Sequence, residues 1–429
     1  MSTLRTRSIP AVAITVVVLA VLVSWYGPTV TLASAQLGRL GDAARRTADA
    51  AKRAAEEAAK KKEKEEAPPS TAPAPTSVPA AAGSAPAAAA PTFEAYSKYD
   101  FVPGEKVVAM DDFTQDAIGD FPARWNTNGS GEIVTIAGKP GRWLKMTKGG
   151  FFLPEFITDL PENFTLELDV TVAPSFDSSY ALNVALVQLA TPKNPAPWQS
   201  STNLFTLTVN PRPGGGSSNM FTRQEGTSTA GNNASTGQLD AKSGNPVHIS
   251  IWRQRQRVRV YINQEKTWDV PRAIVAAAKL NSVVFFLPGF DANMEYFVSN
   301  VRLATGAPDT RNKILTQGKW VSHGILFDVN SDRIKGESYG SLKEIASVLT
   351  ETADLKVQIV GHTDSDGDDA ANLDLSKRRA ASVKTALATQ FGIDAGRMDT
   401  DGKGEGQPVD KNDTPAGKAN NRRVEFIKK

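Results

Sequence analysis

Residues 164–172 read FTLELDVTV, with Phe164, Leu166, Leu168, Val170 and Val172 alternating with Thr165, Glu167, Asp169 and Thr171. A period of two sends successive side chains to opposite sides of a strand, so this stretch is expected to have one buried and one wet face. The rhythm returns in HISIW at 248–252 and RVRVYINQEKTWDV at 257–270, joined by the polar turn RQRQ. YALNVALVQLA, NLFTLTVN, SVVFFLPG and EYFVSNVRLA read as four further strands, parted by turn residues. Only AIVAAAKL at 273–280 offers a helical alternative. So many strands over residues 93–305 predict an all-β, two-sheet sandwich of the jelly-roll type.

After a short linker at 306–318 the period changes. KWVSHGILFDVN is expected to be a strand. GESYGSLKEIASVLTET then sets Leu342, Ile345, Ala346 and Leu349 on one helical face. LKVQIVGHTD is a buried strand. NLDLSKRRAASVKTALATQFGI is a helix with Leu375, Ala380, Val383 and Leu387 as its apolar stripe, and RRVEFIKK closes as a strand. The order β-α-β-α-β predicts a compact α+β unit over 319–429.

The first 92 residues carry no such pattern. Arg5 and Arg7 precede an apolar run from Ile9 to Tyr26, and ASA at 33–35 offers a small-residue cleavage site. Residues 1–35 are therefore expected to be a signal peptide or an uncleaved membrane anchor. Residues 36–66 are rich in Ala, Lys, Glu and Arg and read as a charged helix. Its small-residue seam over 37–58 would allow oligomerisation, but Ala buries little area, so a solvated helix is preferred. Residues 67–92 hold seven Pro among Ala and Ser, a spacer with nothing to bury. Extended, those 26 residues reach roughly 80 Å.

The chain contains no Cys, which removes disulfides, thiol catalysis and thiolate metal sites. A formal net charge of +3, with acids and bases mixed, argues against nucleic acid as a partner.

The densest polar chemistry lies in GHTDSDGDDAANLDLSKRRA at 361–380. Asp364, Asp366 and Asp368 begin like a calcium loop, but its sixth and twelfth places hold Asp369 and Leu375 instead of Gly and Glu. Zinc lacks a second local His. No carboxylate pair stands out as acid and base, so neither a metal, a cofactor nor a catalytic residue is expected here. Asp364 leaves the end of a strand and Arg379 lies inside the following helix. At one mouth of the fold, a carboxylate and a guanidinium suit an amino-acid zwitterion. The spacing leaves open whether they simply pair with each other.

ILFDVNSDRI at 325–334, GHTDSDG at 361–367, NLDLSKRRAASVKTAL at 372–387, GKGEGQPV at 402–409 and NNRRVEF at 420–426 resemble, in order and spacing, the OmpA-like peptidoglycan-binding domain. The resemblance implies that Asp364 and Arg379 hold the diaminopimelate of a wall peptide, assisted by Asn372 and by the turn at Asp328 and Asn330. Arg422 and Arg423 match the family's terminal Asn-Arg-Arg and are expected to brace the loops, and His362 is expected to be structural. The resemblance also implies a location in the Gram-negative cell envelope, on the periplasmic side, either associated with the outer membrane or held by the uncleaved N-terminal helix. The sandwich is similar to concanavalin-like jelly rolls through DDF at 111–113 and GDFPARWNTNGSG at 119–131. Trp125, Trp143, Trp198, Trp252 and Trp268 would either fill its core or stack on sugars. Asp111 and Asp112 are weak candidates for a structural calcium. Two functions follow: a non-enzymatic wall tether, or a carbohydrate-binding or carbohydrate-cleaving sandwich delivered to the wall.

Overall fold

The computed structural model describes residues 99–429 apart from 192–193, 197, 230, 290–293 and 307–308. The expected signal or anchor, the 36–66 helix with its 37–58 seam and the 67–92 spacer lie outside the described residues. Among those described, no helix is long and apolar enough to cross a membrane.

The first part consists of strands β1 (Lys106–Asp111), β2 (Trp125–Thr127), β3 (Ser130–Ile136), β4 (Lys139–Lys148), β5 (Gly150–Pro154), β6 (Asn163–Val172), β7 (Leu182–Val187) and β8 (Leu204–Asn210). It continues with β9 (Gly216–Gln224), β10 (Thr227–Thr229), β11 (Asn233–Thr236), β12 (Val247–Gln254), β13 (Arg257–Ile262), β14 (Glu265–Val270), β15 (Ser282–Leu287) and β16 (Tyr296–Thr305). They form two antiparallel sheets. One runs β14-β13-β12-β6-β16-β4-β3, with β1 beside the second half of β16; the other runs β10-β9-β8-β7-β15-β5-β2, with β11 beside β9. Phe164, Leu166 and Leu168 of the first sheet share one apolar core with Val184, Phe205 and Phe285 of the second. Residues 273–280 form turns and coil, not a helix.

Four of the five candidate tryptophans are interior. Trp125, Trp143, Trp198 and Trp252 are buried, and Trp268 packs against the core while its Nε1 donates to Ser218 Oγ at 2.9 Å. Asp111 accepts from Phe113 N and Trp125 Nε1, both at 3.0 Å, and Asp112 caps Thr114, so both carboxylates hold local structure.

The second part contains α1 (Thr310–Gln317), β17 (Lys319–Ser322), α2 (Tyr339–Glu351), β18 (Val357–Gly361), α3 (Asp369–Phe391), β19 (Met398–Gly402), α4 (Pro415–Asn421) and β20 (Val424–Lys428). Its sheet runs β17-β20-β18-β19, with β18 and β19 parallel. The stretch expected to be a linker thus holds α1, ended by Gly318 in a left-handed conformation. The strand expected over KWVSHGILFDVN stops at Ser322, and Phe327 makes only an isolated bridge with Ile334. Leu342, Ile345, Ala346 and Leu349 are buried as expected, as are Ala380, Val383 and Leu387. Leu375 is half-buried, because it faces the cavity described below.

The polar face of β6 departs most from expectation. Thr165, Glu167 and Thr171 are as buried as their apolar neighbours, at 0%, 3% and 4% exposure. Chain from both ends of the sandwich covers the Thr165 and Glu167 end, while Thr171 Oγ1 donates to Gly244 O at 2.9 Å. Gly104 N donates to Thr165 Oγ1 at 3.0 Å. Tyr99 and Phe101 pack with Trp252 and Tyr261 of the sandwich and with Tyr339 of α2. A Cβ on Gly340 would stand 1.8 Å from Phe101 O, so only glycine admits this approach. On the other flank, Asn420 of α4 accepts from Val107 N and donates to Val107 O, each at 2.9 Å, where β1 bulges. The α+β unit is therefore docked on the outer face of the first sheet.

Candidate functional site

The geometry begins with a close approach. A Cβ on Gly361, the last residue of β18, would lie 2.2 Å from Ser376 O, and one on Gly402 would lie 2.4 Å from Ser376 Oγ. The two glycines let α3 settle directly on the strand ends. Asp364, just past β18, and Arg379, one turn beyond Ser376, therefore line the same cavity. Asp368 caps α3 through hydrogen bonds from Ala370 N at 3.0 Å and Ala371 N at 3.1 Å.

Asp364 and Arg379 do not pair with each other among the described residues. Asp364 is 8% exposed and accepts from Arg422 Nη1. Arg379 is held by carbonyls, with Nε donating to Ser331 O at 3.0 Å and Nη2 to Asp328 O at 3.4 Å. Its guanidinium lies 4.9 Å from the centroid of the Phe327 ring. Among the described residues no carboxylate forms an ion pair with it. Burial, and then the neighbouring Arg422 charge, lower its pKa. An incoming anion would relieve both effects.

The other expected residues take different parts. Asn372 is buried and ties the loop together, with Nδ2 donating to Glu405 Oε2 at 2.6 Å, Asp366 O at 3.1 Å and Asp364 O at 3.4 Å. Asp328 turns its carboxylate to Arg333 and offers Arg379 its carbonyl. Asn330 sits at φ 53°, closing the turn in which Ser331 N donates to Asp328 O. Arg422, expected to brace the loops, pairs with Asp364 and lines the same cavity. Arg423 does brace, donating to Glu425 Oε1 at 2.8 Å. His362 is buried with Nε2 3.6 Å from Glu425 Oε2. Burial alone would raise the Glu425 pKa, but His362, Lys319 and Arg423 hold it well below the usual carboxylate range. Asp366 pairs with Lys418 at 2.7 Å and Asp368 caps α3, so these two acids have structural partners. Among the described residues no cluster of His and acids is arranged to hold a metal.

Sequence reasoning missed the opposite wall, which belongs to the sandwich. Cross-strand pairing sets Glu167 against Arg302 and Asp169 against His248. Arg302 Nη1 donates to Glu167 Oε1 at 2.5 Å, and its Nη2 reaches His323 O at 3.2 Å. His248 Nδ1 donates to Asp169 Oδ1 at 2.7 Å, with its Nε2 3.4 Å from Glu167 Oε2. A bulge in β16 raises Asn300, at φ 53°, so that its Nδ2 donates to Asp169 Oδ2 at 2.6 Å. Charged residues in the polar phase of β6 were the available signal.

Burial would drive the proton off His248, but Asp169 and Glu167 outweigh it and push its pKa up to about 10. An unfolded His releases its proton near about 6.5. The stabilisation is then full below about pH 6.5 and lost as pH rises toward 10. Urea unfolding of the full chain should accordingly show a lower midpoint at pH 9.5 than at pH 7. The difference should shrink in His248→Gln; an equal drop in that variant would assign the effect elsewhere.

Residues 326–422 form an OmpA-family domain. Outer membrane porin F of Pseudomonas aeruginosa is 40% identical over 24% of this chain and 29% of its own length. The probable lipoprotein YiaD of Escherichia coli is 43% identical over 24% of this chain and 47% of its own length. The chain thus spans less than half of either relative. Among solved structures, the peptidoglycan-associated lipoprotein from Burkholderia pseudomallei is 26% identical, covering 28% of this chain and 98% of that one, with a TM-score of 0.24. The cell wall anchor of the T6SS from Pseudomonas aeruginosa is 28% identical, covering 28% and 93%, with a TM-score of 0.23.

Proposed function

We propose that this chain is a non-enzymatic tether of the cell envelope that binds peptidoglycan by clamping the diaminopimelate zwitterion of a peptide stem. The observation that carries this reading is the state of Arg379. It is half-buried, crowded by Arg422, fixed by two carbonyls, and has no carboxylate partner among the described residues. A ligand carboxylate completes its coordination in the bidentate geometry that guanidinium favours. Asp364, which accepts from Arg422, receives the ligand ammonium. The names of the OmpA-family relatives, an outer membrane porin and a lipoprotein, favour an envelope location. The carbohydrate-cleaving alternative gains nothing from Trp125, Trp143, Trp198 and Trp252, which are buried.

Co-sedimentation of the full chain with two cell walls tests the clamp. Retention should be high on wall with free diaminopimelate and fall at least about tenfold on wall whose diaminopimelate is amidated, as for a lost charged hydrogen bond. Equal retention on both would overturn the reading.

A further inference from the structure

The cavity that holds Asp364 and Arg379 is not built by the OmpA-family domain alone. Its volume is about 420 Å³, and Glu167, Asp169, His248, Asn300 and Arg302 of the sandwich line its far side. That volume falls in the range of pockets that enclose drug-sized ligands, more than one amino-acid end group fills. The two walls differ in electrical character. On the domain side, Arg379 is held by carbonyls and forms no ion pair with a carboxylate among the described residues. On the sandwich side, Glu167 and Asp169 are matched against His248 and Arg302 through contacts of 2.5 to 3.4 Å. Within this network two acids against two cations leave no net charge, and its dipoles are fixed and largely buried; Asp112, which also lines the cavity, accepts from Thr114 N and Oγ1. Such a surface has nothing to gain from a further charge and is suited to neutral hydrogen-bonding groups.

We propose that the site is bipartite, with the sandwich wall receiving the neutral amide groups of the stem peptide whose charged end the OmpA-family domain grips. This rests on the clamp proposed above. The zwitterion fixes the ligand's direction, so the peptide leading away from it is what meets β6, β12 and β16. Asn300 is the readiest contact, because the β16 bulge lifts its amide out of the ladder beside Asp169. The sandwich is then a determinant of what the clamp accepts.

The test compares two soluble probes on the full chain by calorimetry: free meso-diaminopimelate and the tripeptide L-Ala-γ-D-Glu-meso-diaminopimelate. Wild type should bind the tripeptide more tightly. Asn300→Gly, which keeps the left-handed backbone without strain, should weaken tripeptide binding about 3- to 10-fold, as for one or two neutral hydrogen bonds. It should leave free diaminopimelate unchanged. His248→Gln, checked for folding by its melting curve, should act in the same direction. Equal wild-type affinity for the two probes, or an Asn300→Gly chain that keeps the full tripeptide advantage, would overturn the bipartite site while leaving the clamp standing. Failure of the clamp itself shows differently, as Arg379→Ala binding both probes like wild type.

Discussion

Arg379→Ala is expected to abolish most co-sedimentation of the full chain with diaminopimelate-containing peptidoglycan while leaving its unfolding midpoint nearly in place. Truncating one partner of a desolvated charged contact costs about 2–5 kcal/mol, or roughly 30- to 5,000-fold in affinity. The stability cost is small because the side chain gives up two carbonyl contacts and the Phe327 face but leaves no carboxylate unpaired among the described residues. Arg379→Lys is the sharper control. It preserves the charge but loses the planar fork that holds a carboxylate in two places and two carbonyls behind. Near-complete recovery by Lys would mean that charge alone suffices. An Arg379→Ala chain that pellets with the wall like wild type would remove the clamp altogether.

The largest stability effect is expected at Arg302. Glu167 is 3% exposed, and Arg302→Ala leaves its carboxylate beside His248 alone. Breaking a buried pair from one side costs about 3–5 kcal/mol, which should lower the urea midpoint by an amount visible without curve fitting. Arg302 also donates to His323 O, so the loss strikes the joint between sandwich and OmpA-family domain. The double variant Glu167→Gln with Arg302→Met should regain a good part of the loss, because it removes the stranded charge as well as the pair. An Arg302→Ala chain as stable as wild type would show that Glu167 finds another cation or takes up a proton.

Local patterns carried well where the energetics are local. The alternation in β6 and the helical stripes of α2 and α3 report burial against a near neighbour, and these elements stand where periodicity puts them. The charged pair Asp364 and Arg379 was legible because both lie within one strand-turn-helix unit. Three features were not. Arg422 enters the site from far along the chain, just before β20, and only the folded sheet brings it to Asp364. Leu375 continues the stripe of α3 by spacing, yet the cavity opens beneath it. The polar face of β6 reads as wet because alternation records one packed side and is silent on what later docks against the other. Its Glu and Asp were the hint, since their partners His248 and Arg302 lie in the same phase of neighbouring strands.

The seam at Tyr99 and Phe101 has a mechanical side. The described chain enters between sandwich and α2, with Phe101 O against Gly340, Tyr99 OH donating to Glu337 O at 3.3 Å, and Tyr261 OH donating to Asp100 Oδ1 at 2.8 Å. Tension arriving at residue 99 is therefore applied to the joint before it reaches any strand. With a wall peptide held across that joint as proposed, the load would divide between two anchorages in place of peeling one sheet from its edge. A tether wired this way would yield first at the seam, between the sandwich and the domain proposed to grip the wall.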